Sequence, residues 1–118
     1  VVVDGKTYEG NMLLIAVGNG KYFGGGMNIC PDASLYDGYF DLCMVTNVSK
    51  FKFIRKMPKV YTGKLADLNE VTYLKCRDIQ IYVDKTQYII NADGNLLGQT
   101  PTHLKLIENA VKIYTNNQ

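Results

Sequence analysis

Apolar and polar positions alternate in short blocks along this chain. Val1–Val3 is apolar, Asp4-Gly5 is turn-forming, and Lys6–Glu9 follows. An Asp-Gly pair between two such runs favours a two-residue turn with both residues at positive φ, so the spacing predicts a β-hairpin. Met12–Val17 is an unbroken apolar run of strand length, and predicts a strand buried on both faces. Phe40–Thr46 (FDLCMVT) predicts a second apolar strand.

Ser49 is a good helix N-cap. Phe51, Ile54 and Met57 recur at a spacing of three behind it, with Lys50, Lys52, Arg55, Lys56 and Lys59 filling the remaining positions. This predicts one short amphipathic helix, ended or kinked by Pro58. Beyond it, Glu70–Val83 shows partial alternation through Val71, Tyr73, Ile79, Ile81 and Val83, and Gln87–Ala92, His103–Ile107 and Ala110–Tyr114 read as further strands. Asp84-Lys85, Asp93-Gly94-Asn95, Thr100-Pro101-Thr102 and Glu108-Asn109 punctuate them as turns. Many short strands with one helix predict a mainly β fold, an antiparallel β-sandwich with one short amphipathic helix.

Composition narrows this only a little. The 118 residues suffice for one domain with a real core. Hydrophobic residues make up 47% and charged residues 20%, as in ordinary globular proteins. A net charge of +2 gives no reason to expect nucleic acid as a partner. The longest apolar run falls far short of the about 20 residues that a bilayer span needs. Cys30, Cys43 and Cys76 form no C-x-x-C pair, and an odd, scattered set predicts buried free thiols in a reducing compartment, hence a cytoplasmic protein. The chain opens on Val1-Val2-Val3 without a start methionine, and reads as a piece of something longer.

The candidate chemistry is concentrated in VGNGKYFGGGMNICPDASLYDGYFD, from Val17 to Asp41. Gly18, Gly20, Gly24, Gly25 and Gly26 do not fit G-x-G-x-x-G, because three residues separate Gly20 from Gly24 and Pro31 follows. A Walker loop fails too, with Ile15 five residues before Gly20. The loop is either a set of tight turns or a place where glycine lets a backbone or ligand come close. Asp37-Gly38 is either a simple turn or one carboxylate of a site for a hard cation. The Asp93-Gly94-Asn95 stretch reads by default as a hairpin turn, and the lone His103 as a strand residue. The basic helix is either a solvated face or a membrane-surface element.

Taken in order, an apolar strand, GNGKYFGGGMNICPDASLYDGYFDLCMV, a basic helix running to Tyr61-Thr62-Gly63-Lys64, then ADGNLLGQTP and closing strands closely resemble the C-terminal domain of bacterial diacylglycerol kinase-like lipid kinases. That family is related to the diacylglycerol and sphingosine kinases. The resemblance spans essentially the whole chain, and makes residues 1–118 a single domain. It implies a β-sandwich that holds the lipid and closes on a preceding ATP-binding domain in cis. The Gly-Gly-Asp-Gly-Thr motif of that domain does not occur here. The implied reaction moves the γ-phosphate of ATP-Mg to a lipid with a free hydroxyl, and the isolated fragment is expected to be inactive.

By the same resemblance, Gly18, Asn19, Gly20, Gly24, Gly25 and Gly26 lie at the substrate cleft. Asp37 gives a carboxylate, and Ser34 and Tyr39 give carbonyls, to a structural Mg²⁺ or Ca²⁺. Asp93-Gly94-Asn95 matches an Asp-Gly-Glu motif whose glutamate is the general base. Here that position is Asn95, an amide that cannot take the proton. Asp93 is then the expected catalytic residue and Asn95 an orienting group, unless the domain binds lipid without chemistry. Lys50, Lys52, Arg55, Lys56 and Lys59 would face the inner leaflet in a peripheral membrane contact, and the resemblance also implies a tendency to homodimerise.

Overall fold

The computed structural model describes residues 1–112. The first hairpin forms as expected, with β1 (Val2–Val3) pairing antiparallel with β2 (Lys6–Thr7) across Asp4-Gly5. The two apolar runs become β3 (Met12–Gly18) and β6 (Phe40–Thr46). Between them the glycine-rich stretch makes a small hairpin, β4 (Tyr22–Phe23) and β5 (Met27–Asn28), that its composition had hidden.

Ser49 caps α1 (Lys50–Lys56), its hydroxyl accepting the Lys52 N–H at 3.3 Å. Pro58 then starts a separate short helix, α2 (Pro58–Tyr61), and a 3-10 turn follows at Lys64–Asp67. The expected strand over 70–83 divides into β7 (Val71–Cys76) and β8 (Asp78–Ile81), which belong to different sheets. The break is held by Asp4, whose carboxylate accepts the backbone N–H of Arg77 at 3.0 Å and of Asp78 at 2.9 Å. The remaining strands are β9 (Ile89–Ala92), β10 (Asn95–Gln99) and β11 (Thr102–Lys105). Residues 110–112 form no strand, and the rest of the strand expected at Ala110–Tyr114 lies outside the described residues.

Two sheets and a helical layer build the core. β3, β6 and β7 form an antiparallel sheet with β6 in the middle. Because strand side chains alternate between faces, β6 serves two clusters at once. Leu42 and Met44 pack with Val3, Cys76, Ile79 and Ile81 against the sheet β11-β8-β1-β2. Cys43 and Val45 pack on the other face with Ile29, Cys30, Val60, Leu65 and Leu68, under the helices and the glycine-rich loop. The expected sandwich is therefore present, with a third layer over its central sheet. All three cysteines are free and buried, as their spacing suggested. Burial pushes the Cys30 thiol up to about 12, and Cys43 and Cys76 up to about 11.

The helix docks on a stripe that keeps only Met57 of the i, i+3 set. Phe53 and Met57 pack onto the core, while Phe51 and Ile54 are 84% and 63% exposed. Two helical turns carry apolar residues on more than one stripe, and docking of Phe53 beside Val48 and Val60 decides between them. The β9–β10 hairpin is a sheet of its own, and β10 is exposed throughout.

Candidate functional site

Strand register assembles the first candidate site. β6 pairs with β3 on one side and β7 on the other, so Gly18, Asp41 and Lys75 form a row across the sheet. Asp41 is buried. The Lys75 ammonium bonds Asp41 Oδ2 at 3.1 Å, reaches Asp37 Oδ2 at 2.7 Å, and donates to the Asp32 carbonyl at 3.2 Å. Asp37 Oδ1 accepts the Tyr39 N–H at 3.1 Å, which closes the Asp37-Gly38 turn. Arg77 lies over the Tyr39 ring at 4.6 Å and pairs with Glu108 at 2.9 Å. Two cations from the end of β7 thus grip the loop that leads into β6.

The charges support one another. The hydrogen bond from Lys75, with help from the Tyr39 N–H, holds the Asp37 carboxyl below its usual range. Asp37 in turn raises Lys75. A depressed carboxylate stabilises the fold above its unfolded pKa and loses that contribution as pH falls through the folded one. Both groups are therefore charged at neutral pH.

The oxygens around Asp37 are those expected to seat a divalent ion. Each Asp37 oxygen already accepts a hydrogen bond, one of them from a cation. The Ser34 hydroxyl is turned to the Tyr36 N–H at 3.3 Å. Among the described residues, no three His, Cys, Asp or Glu side chains converge as metal ligands. The Asp37 carboxylate is thus engaged by Lys75 and the Tyr39 N–H, while the other ligands expected there, the Ser34 and Tyr39 carbonyls, are backbone groups that these side-chain contacts do not occupy.

The glycine-rich loop divides in two. A Cβ on Gly18 would stand 2.9 Å from the Gly20 carbonyl, 3.1 Å from Cys30 Sγ and 3.2 Å from the Phe23 ring. Glycine is thus required there by close approach, though what approaches is the loop's own backbone and side chains. Gly24 and Gly26 take positive φ and turn the β4–β5 hairpin, with Gly25 between them. Asn19 is exposed, as are Gly24, Gly25 and Gly26.

The second candidate site is the tip of the β9–β10 hairpin. Asp93 and Gly94 both have positive φ, 49° and 84°, as a two-residue hairpin turn requires. Asn95 is the first residue of β10 rather than part of the turn, and its amide donates to the Asp93 carbonyl at 3.5 Å. β10 escaped the sequence reading because Leu96-Leu97-Gly98 does not alternate, and its register shifts between Leu96 and Gly98. Asp93 and Asn95 are both exposed. Among the described residues, no hydrogen bond links this tip to the Asp37 loop. Nothing in the sequence pointed to Lys75, which lies far from Asp41 along the chain and meets it only through β-pairing.

His103 lies on β11 as expected, its Nε2 2.8 Å from Asp78 Oδ2, and that contact lowers the Asp78 pKa. On the helical side, Lys50, Lys52, Arg55 and Lys59 are exposed and Lys56 half-buried. Lys52 is already paired with Glu70. No helix among the described residues is long and apolar enough to cross a membrane.

The chain is similar to known proteins. The chain is 27% identical over 114 residues to a diacylglycerol kinase of Mycobacterium tuberculosis, covering 96% of this chain and 36% of the relative. It is 30% identical over 98 residues to a diacylglycerol kinase of Bacillus subtilis, covering 83% of this chain and 32% of the relative. It thus spans about a third of the length of these relatives. A crystal structure of a diacylglycerol kinase from Bacillus anthracis shares the fold with a TM-score of 0.68 at 23% identity, covering 90% of this chain and 38% of that one. Residues 1–115 match the family described as the YegS C-terminal NAD kinase beta sandwich-like domain, and the chain belongs to that family.

Proposed function

We propose that this chain is the lipid-side domain of an ATP-dependent lipid kinase, acting with a nucleotide-binding domain joined to it. The γ-phosphate of ATP-Mg passes to the free hydroxyl of a lipid such as diacylglycerol. The observation that carries this reading is the β9–β10 hairpin, a separate two-stranded sheet with a carboxylate at its exposed tip. A two-stranded sheet is marginal by itself. Here Tyr88, Ile89, Leu96 and Leu97 are all more than half exposed, an apolar surface suited to a second domain and an acyl chain. The names of the relatives support the same reading.

Phosphoryl transfer depends mostly on positioning and electrostatics, so the domain's task is to bring the hydroxyl into line with the phosphate. Asp93 is the group at the tip that can take the hydroxyl proton, and Asn95 can only orient by hydrogen bonding. The test is transfer of labelled phosphate from ATP into a mixed lipid extract, by the protein with its nucleotide-binding domain. A labelled lipid is the expected product. Lipid binding without label would favour a non-catalytic lipid-binding module, the reading that Asn95 suggests.

The basic helix gives the proposed kinase a way to reach its substrate. Phe51 and Ile54 project from α1 among Lys50, Arg55, Lys56 and Lys59. Apolar side chains ringed by cations fit an anionic membrane surface. Each cation near such a surface contributes about 1 kcal/mol, screened by salt. Binding to vesicles containing anionic lipid is expected to weaken as salt rises, and to weaken further in Phe51→Ala/Ile54→Ala. Sedimentation with vesicles measures both, and salt-independent binding would refute the contact.

A further inference from the structure

We infer that Lys75 is the resident cation of the 32–41 loop, its ammonium filling the seat that a divalent ion would otherwise take beside Asp37. An ammonium has three N–H donors. Lys75 has three acceptors, the Asp37 and Asp41 carboxylates and the Asp32 carbonyl, at 2.7, 3.1 and 3.2 Å. Those spacings suit N–H···O bonds. Asp41 is buried and Asp37 partly so, and two carboxylates converging there need a positive charge between them. β7 delivers it from the strand paired with β6, because register sets Lys75 opposite Asp41. The loop is locked by the protein's own charge, and its geometry does not depend on metal supply.

Other features of the molecule carry less. The groove lined by Gln80, Tyr82 and His103 is shallow, and the three thiols are buried and held protonated.

The inference is tested by thermal melting of this chain and of Lys75→Met, each in chelator and in excess Ca²⁺ or Mg²⁺. The unsubstituted chain is expected to melt at one temperature in all three. A rise with either ion would place a separate metal seat in the loop and overturn the inference. Lys75→Met is expected to melt several degrees lower in chelator and to regain part of the loss in Ca²⁺, because its oxygens then lack their cation. An unchanged melting temperature in chelator, or a loss that Ca²⁺ leaves untouched, would each overturn it. Should Lys75→Met fail to fold, Asp37→Asn provides the second arm. It keeps the acceptor for the Tyr39 N–H and removes the charge, so it is expected to melt lower by the same amount with and without Ca²⁺. An Asp37→Asn chain as stable as the parent would also count against Lys75.

Discussion

Leu42→Ala is expected to lower the unfolding free energy by about 2–5 kcal/mol, a large fraction of the about 5–15 kcal/mol that holds a typical domain. Leu42 has no exposed surface. It sits at the middle of the central strand, opposite Val17 on β3 and Leu74 on β7. Its side chain fills the space between the two sheets with Val3, Met44 and Ile79. Truncation there leaves a cavity that strands paired on both sides cannot collapse. Urea unfolding measures the effect as a lower midpoint at unchanged slope. Leu97→Ala is the comparison. Leu97 is 69% exposed in the β9–β10 hairpin, so its loss is expected to change stability by no more than about 0.5 kcal/mol. Equal losses from both would mean that the core does not sit between these sheets.

Leu42 was legible in the sequence, and the reason separates what could be read from what could not. A continuous apolar run bounded by turns reports a strand that packs on both faces, which holds fully for the central β6, whereas the edge strand β3 packs on both faces but is buried only at Ala16 and Gly18. Asp4-Gly5 reported the first hairpin through φ alone. These are local properties. Which side of α1 faces the core is a tertiary property, and of Phe51, Ile54 and Met57 only Met57 packs there, because Phe53 takes the place of the other two. β10 was lost where a strand with no buried residue shows no alternation. The Lys75 cluster was out of reach altogether. It joins Asp37, Asp41 and a lysine in a different strand, and only pairing between β6 and β7 shows that they meet. Gly18 was legible as a close approach, but what approaches it is the loop itself. The proposed roles of Asp93 and Asn95 came from family resemblance, and the structure adds the turn that presents them.

Asp93→Asn, made in the protein that includes the proposed nucleotide-binding domain, is expected to lower lipid phosphorylation about a hundredfold or more, the usual contribution of a positioned general base. The substitution isolates charge from shape. Asp93 has φ 49°, and asparagine tolerates that region as readily as aspartate does. The bonds that close the turn are kept, since Gly94 N–H donates to Asn91 Oδ1 at 3.1 Å and Asn95 donates to the residue-93 carbonyl, neither using the Asp93 side chain. Melting temperature should therefore hold while turnover falls. Asn95→Glu is the complementary change. It places a carboxylate on the exposed first residue of β10, paired with Ala92, where the fold has room for it. If Asp93 is the base, Asn95→Glu in the Asp93→Asn background should restore part of the lost rate. The pH profile would then reflect a glutamate in place of an aspartate. Full activity in Asp93→Asn would remove the carboxylate from the mechanism and leave the tip a positioning role. No activity in the unsubstituted protein, with activity in Asn95→Glu, would mean a scaffold that is intact but lacks its base, and would make lipid binding the natural function.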